Sequence, residues 1–328
     1  MAPKMSMAAA INAALRDAMA ADDAVVVFGE DVGPLGGVFR VTDGLTRDFG
    51  EGRCFDTPLA EAGIVGMAVG MAMNGMRPVV EMQFDAFAFP AFEQITSHVA
   101  KTANRTRGRV RLPLVIRIPY AGGIGGVEHH CDSSEAYYAH TPGLTVLAPA
   151  TNADAYGLLR AAIEYPDPVV FLEPKKLYFA KEEVDVAAEV PPIGRAVVRR
   201  AGRDATLIAY GPSVPPALAA AEQAAVEGRD VGVVDLRSIV PFDDETVCAE
   251  VRSTGRAVVV AEAPGFASVA SEIAARVTER CFHHLEAPVH RVTGFDVPYP
   301  APKLERHFLP GVDRILDAVD ELQWQDAA

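Results

Sequence analysis

Short, continuous apolar runs rich in β-branched residues alternate with Ala-rich stretches of helical period along the whole chain. This alternation restricts the fold more than any other feature. Val25–Phe28, Pro78–Met82, Leu114–Pro119, Leu144–Ala148 and Val169–Leu172 read as strands, with helical patterns at Glu61–Asn74, Phe87–Thr106 and Ala153–Glu164. A strand that is apolar at nearly every position has both faces covered, as in a parallel sheet flanked by crossover helices. The rhythm stops over Glu173–Pro192, where Pro174, Lys175, Lys176, Lys181, Glu182, Glu183, Pro191 and Pro192 leave no sustained period, and this segment reads as a domain connection. A second series follows: strands Ala205–Tyr210, Val231–Leu236, Ala257–Ala261 and Val289–Val292, and helices Pro215–Glu227, Asp243–Ser253 and Ser268–Cys281. Val312–Gln323 is amphipathic and packs back as a final helix. At about 150 residues per domain, the 328 residues make two. The expected fold is therefore α/β, with two domains at 1–185 and 186–328, each a mainly parallel sheet with helices on both faces.

Composition narrows the partners. Lys and Arg total 30 against 44 Asp and Glu, a formal charge of −14. Such a chain lacks the clustered cations that bind nucleic acid or an anionic membrane surface. No apolar run reaches the roughly 18 residues of a membrane span. The Ala-rich start, Met1–Ala20, carries Arg16 and Asp17 without a cleavage region and reads as an ordinary surface helix. Cys54, Cys131, Cys248 and Cys281 are scattered with no CxxC pair, the usage of reduced thiols in a cytosolic protein.

Several local motifs leave two readings each. Gly122-Gly123-Ile124-Gly125-Gly126 follows a strand, yet no choice of glycines fits GxGxxG and no Walker lysine occurs. The run is either a ligand loop or a turn whose bare backbone approaches something closely. Thr57 with Pro58 suits a helix start, so Glu61 is either an acid matched to a helix dipole or a functional carboxylate. Ala62, Gly66 and Gly70 form a small-residue stripe for close helix packing, inside the subunit or between subunits. Glu128-His129-His130-Cys131-Asp132 has poor metal-ligand spacing. It holds either surface histidines or one catalytic imidazole, whose pKa suits proton traffic near neutrality. Phe84, Phe87, Phe89 and Phe92 crowd a strand-to-helix turn, where open α/β sheets place ligands.

The runs DTPLAEAGIVGMAVGMAMNG, EMQFDAFAFPAFEQITSHVAK, GGVEHHCDSSEAYYAHTPGL and VVFLEPKKLY together resemble one family across essentially the whole chain. It is the beta subunit of the thiamine-diphosphate-dependent 2-oxo acid dehydrogenase (decarboxylating) component, in its branched-chain type. The resemblance implies a thiamine-diphosphate pyrimidine-binding domain followed by a transketolase C-terminal-like domain. Glu61 matches the glutamate that hydrogen-bonds the pyrimidine N1′ and so favours the imino tautomer, whose nitrogen removes the thiazolium proton. Phe87 falls where the family stacks an aromatic, often Tyr, on the pyrimidine, and Leu59 and Gln83 complete the expected cofactor contacts. His130 matches the histidine that assists acyl transfer. The five-residue step from His130 to Glu135 sets that register, and His129 would be one residue out. A potassium site of mainly main-chain oxygens maps to Leu112, Leu114, Val115, Ala162, Tyr165 and Asp167. Gly66 and Gly70 match a beta–beta contact.

The Gly-Asp-Gly run that holds Mg²⁺ and the diphosphate is missing; Thr42-Asp43-Gly44 is nearest and lacks the first glycine. Hard cations need such oxygen ligands, so an alpha subunit is expected to supply that half in a two-alpha, two-beta heterotetramer. The implied activity is oxidative decarboxylation of branched-chain 2-oxo acids with acylation of the lipoyl group of an acyltransferase core (3-methyl-2-oxobutanoate dehydrogenase type), in the cytoplasm. The alternatives are the same chemistry on pyruvate or acetoin, a non-catalytic scaffolding partner, and a dinucleotide oxidoreductase, which the failed glycine fingerprint weakens.

Overall fold

The computed structural model describes residues 2–322. The first half contains β1 (Lys4–Ser6), α1 (Met7–Ala21), β2 (Val25–Gly29), α2 (Leu45–Phe49), β3 (Cys54–Asp56), α3 (Glu61–Met73), β4 (Arg77–Glu81), α4 (Thr102–Arg105), β5 (Val115–Tyr120), α5 (Glu128–Cys131), α6 (Glu135–Ala139), β6 (Thr145–Leu147), α7 (Asn152–Glu164), β7 (Val169–Pro174) and β8 (Lys181–Glu183). The second contains β9 (Val197–Arg200), β10 (Ala205–Ala209), α8 (Val214–Val226), β11 (Val231–Asp235), β12 (Ser238–Val240), α9 (Asp244–Thr254), β13 (Ala257–Pro264), α10 (Val269–Cys281), β14 (His290–Gly294), α11 (Glu305–Phe308) and α12 (Val312–Asp320).

Seven strands form one sheet in the order β12-β6-β7-β5-β4-β2-β3, parallel throughout except at the β12 edge. Five form a second, β14-β13-β10-β11-β9, parallel except at β9. Alternate residues of one strand feed different cores, as the two-residue period demands. Val25 and Val27 face α1 and α7, while Val26 and Phe28 join Ile64, Val65 and Ala68 of α3. That second core continues without a break into Val259, Ala261 and Ile273, so the two sheets share an apolar layer. A further core beneath α8 and α12 covers the outer face of the second sheet.

The expected strands are present, and short pairings add to them. Cys54–Asp56 and Ser238–Val240 are edge strands of three residues each, the latter crossing from the second half of the chain to pair with β6. The segment read as a connection holds the end of β7 and then β8, which pairs antiparallel with β1. The expected helix at 87–106 is instead a 3₁₀ turn (Ala86–Ala91), a π turn (Gln94–Val99) and α4. Pro90 lacks the amide an α-helix would use, and Ala100 N–H bonds five residues back to Ile95. The N-terminal helix starts at Met7 and is capped by Ser6, whose hydroxyl accepts from Ala9 N–H at 3.2 Å. The last helix is described as Val312–Asp320, burying Ile315, Leu316 and Val319, and the expected end at Gln323 lies outside the described residues.

Arg117 is wholly buried at the centre of the larger sheet. Its guanidinium donates to Glu173 through Nε (2.6 Å) and Nη2 (2.9 Å), and to Glu81 Oε2 at 2.7 Å. Tyr178 adds a hydroxyl donor to Glu173 at 2.5 Å. This triad ties β4, β5 and β7 together. Among the described residues no helix is long and apolar enough to cross a membrane.

Candidate functional site

The carboxyl edge of the larger sheet gathers the candidate catalytic and cofactor-binding residues. Ligands in open α/β sheets bind at this edge, where strand ends open into loops. Along the adjacent strands β5, β4, β2 and β3, the segments that follow carry His130, then Gln83, Phe84 and Phe87, then Glu30 and Asp31, then Leu59 and Glu61.

Glu61 is the first helical residue of α3 and only 9% exposed. Thr57 does not cap this helix. Its amide donates to Gly29 O at 2.9 Å and prolongs the β2–β3 ladder, so residues 58–60 stay outside the helix and Ala60 holds the cap position. Glu30 is also buried. Burial pushes its carboxyl up, reinforced by the charges of Glu61 and Asp31 and opposed by a hydrogen bond with the Ala60 backbone. Glu30 Oε1 and Thr57 Oγ1 are buried without partners. Two unpartnered polar atoms beside a buried carboxylate suit a polar heterocycle better than closed protein core.

Gln83 Nε2 donates to Asp31 Oδ2 at 2.8 Å, bridging the ends of β4 and β2. Leu59 is 80% exposed at the approach to α3. His130 and His129 are adjacent in sequence but differ in setting. The His130 ring packs edge-on against Phe84 (4.4 Å) and Phe87 (5.4 Å), whereas the His129 side chain is 64% exposed beside Glu128. Phe84, whose specific role sequence reasoning did not single out, links this cluster to Phe39 at 5.4 Å. Asp85 fixes the turn: its carboxylate accepts from Ser134 N–H at 3.0 Å and from the Ser134 hydroxyl. That engagement immediately precedes α6, which starts at Glu135. Burial raises Asp85, and burial lowers the nearby Lys175, whose Nζ has no hydrogen-bond partner. Both lie inside the runs that carry the family resemblance, but sequence reasoning gave neither a role.

The residues of the expected potassium site lie on the opposite, amino edge, in the segments entering β5 and β7. Leu112 O accepts from Leu114 N–H (2.8 Å), Leu114 O from Val169 N–H (3.0 Å) and Ala162 O from Tyr165 N–H (3.3 Å). Asp167 pairs with Arg111 at 2.9 Å. Gly66 and Gly70 are exposed on α3, and a Cβ on either would meet no atom within 4 Å. All four cysteines are free and buried, and burial pushes the Cys131 thiol up to about 11, which leaves it a poor nucleophile.

Glu262, at the end of the second sheet's β13, accepts the Gly122 amide in the buried interface between the two sheets. Burial pushes its carboxyl from 4.5 up to about 7. Between those values the folded chain holds a proton that the unfolded chain has released, so stability falls as pH rises through this window. Glu262→Gln keeps an acceptor for Gly122 and removes the ionisation. Thermal unfolding should find it stabler than the parent at pH 8, by at most about 3 kcal/mol, with the difference shrinking toward pH 5. A variant less stable at pH 8 would contradict this.

Fold and site define a transketolase-like protein. Residues 3–181 match the family described as "Transketolase, pyrimidine binding domain", and residues 194–315 match "Transketolase, C-terminal domain". The chain is 56% identical to "Pyruvate dehydrogenase E1 component subunit beta" of Leifsonia xyli subsp. xyli (96% of this chain, 94% of that one). It is 53% identical to "3-methyl-2-oxobutanoate dehydrogenase subunit beta" of Mycobacterium tuberculosis (97% and 92%). The solved structure "Split gene transketolase, inactive beta4 tetramer" shares its fold at a TM-score of 0.80, with 24% identity over 97% of this chain and 98% of that one. The chain belongs to the family of beta subunits of the E1 component of 2-oxo acid dehydrogenases.

Proposed function

We propose that this chain, paired with an alpha subunit in a two-alpha, two-beta heterotetramer, decarboxylates branched-chain 2-oxo acids and passes the acyl group to the lipoyl group of an acyltransferase core in the cytoplasm. The observation that carries the chemistry is the convergence of Glu61, Gln83, Phe87 and His130 on one sheet edge, beside the unpartnered Glu30 Oε1 and Thr57 Oγ1. The branched-chain substrate rests instead on the resemblance of FLEPKKLY and QFDAFAFPAF to that subgroup. Thiamine diphosphate, shared with the alpha subunit, supplies the electron sink that makes loss of carbon dioxide feasible. Glu61 holds the pyrimidine ring nitrogen, Phe87 offers a stacking face, Gln83 and Leu59 line the approach, and His130 moves a proton during acyl transfer. Phe in place of Tyr at position 87 keeps the ring and drops only a hydroxyl.

Mg²⁺ is assigned to the alpha subunit, because this sequence has no Gly-Asp-Gly run. Potassium is proposed on the carbonyls of Leu112, Leu114, Val115, Ala162 and Tyr165, which keep free lone pairs. Asp167 would join them by leaving Arg111. The boundary at 185/186 is supported by β8 pairing with β1 in the first half and β9 with β11 in the second. The open Gly66 and Gly70 face suits a second beta subunit.

The pyruvate reading has its own support in the 56% identical relative. Co-expression with an alpha-like chain bearing Gly-Asp-Gly, followed by turnover of 3-methyl-2-oxobutanoate and pyruvate, separates the two. Higher kcat/KM for 3-methyl-2-oxobutanoate is expected, and a strong pyruvate preference would overturn the substrate assignment.

A further inference from the structure

The glycine run that matched no nucleotide fingerprint has partners in the second half of the chain. Gly122 N–H donates to Glu262 Oε1. Gly123 N–H donates to Glu305 Oε1 at 3.0 Å and to Tyr299 Oη at 3.2 Å, and Gly125 N–H donates to the same Glu305 oxygen at 3.1 Å. Tyr299 Oη in turn donates to Glu305 Oε1 at 2.8 Å. The loop is shaped to these acceptors. A Cβ on Gly122 would lie 1.9 Å from Tyr299 Oη, and one on Gly126 would lie 2.8 Å from Cys131 Sγ and 3.3 Å from His130 Cβ. Independently of the hydrogen bonds, Tyr299 and Phe308 form a small apolar cluster with Cys131, the neighbour of His130.

From this geometry we propose that Glu305 and Tyr299 are positioning residues for His130, acting through the Gly122–Gly126 loop. A run of four glycines around one isoleucine has many backbone conformations to lose on ordering. One carboxylate oxygen accepting two loop amides selects a single conformation with charge-assisted bonds. The loop feeds straight into α5, so its conformation sets where the imidazole stands. A proton-transferring group must be held to a fraction of an ångström. The second half of the chain thus presents the histidine that the first half carries.

This rests on the role of His130 proposed above, and the test separates the two. The assembled enzyme is prepared with Glu305→Ala, Glu305→Gln, Tyr299→Phe and His130→Ala. Glu305→Ala should lower kcat for lipoyl acylation by about 10- to 100-fold, the cost of a small misplacement, while KM for the 2-oxo acid stays within about twofold. Amide exchange at Gly123 and Gly125 should quicken by about tenfold. Glu305→Gln, which keeps an acceptor oxygen, should recover most of the rate. Tyr299→Phe, which removes the bonds to Gly123 and Glu305 but leaves Glu305 on both amides, should lose about three- to tenfold. A merely structural strut would change stability without this split between kcat and KM or this rescue. Impaired His130→Ala with Glu305→Ala at parental kcat would overturn the proposal alone. Glu305→Gln no better than Glu305→Ala would also overturn it. Full activity of His130→Ala would overturn the role of His130, and the proposal with it.

Discussion

Glu61→Ala is expected to lower turnover of the assembled enzyme by about two to four orders of magnitude, the range of a lost acid–base group, while leaving assembly intact. Glu61 sits at the first helical position of α3, where the backbone bonds do not depend on its side chain. Ala is a better helix former than Glu and costs the fold little. Removing the carboxylate also relieves its charge on Glu30, whose raised carboxyl owes part of its shift to Glu61. The variant should therefore elute with its alpha partner at the parental position on a sizing column and unfold at a similar temperature, yet be inactive. Normal activity would refute the assignment of Glu61. Failure to assemble would show that Glu61 holds structure, not chemistry.

Arg117→Met should have the largest effect on stability. The substitution leaves Glu81 and Glu173 buried beside each other without their shared cation. Burial and the charge of Glu173 already raise Glu81, and only Arg117 holds it down. Breaking one partner out of a buried ion group costs about 3–5 kcal/mol, or on the order of 10 °C in unfolding temperature for domains of this size. Replacing all three charges together with apolar residues should cost much less, because no uncompensated charge then remains. A single Arg117→Met variant that melts with the parent would contradict the role given to this triad.

Parallel strands were legible in the sequence because covering both faces leaves a continuous apolar run, as in Val25–Gly29 and Val169–Pro174. Three-residue edge strands such as Ser238–Val240 were not, because their existence depends on pairing with a strand far away in the chain. Local capping rules misplaced Thr57, whose amide is drawn to Gly29 by the neighbouring strand. The candidate site divides in the same way. Glu61, Phe87 and His130 were reached through a run of ordered motifs, and the fold brings their loops to one edge. Asp85 and Lys175 lie within those motifs but were given no role, and Tyr299 and Glu305 lie outside them, since each owes its setting to a contact made only after folding. The glycine run stood out at once, but its acceptors lie 140 to 182 residues further on.

The central claim is that this chain grips the pyrimidine end of thiamine diphosphate and another chain grips its charged end. Calorimetric titration of thiamine diphosphate with Mg²⁺ into this chain alone, the alpha-like chain alone and their complex tests it directly. Tight, Mg²⁺-dependent binding by the complex, with neither separate chain retaining the cofactor, is the predicted result. Tight Mg²⁺-dependent binding and turnover of 2-oxo acid by this chain alone would contradict it.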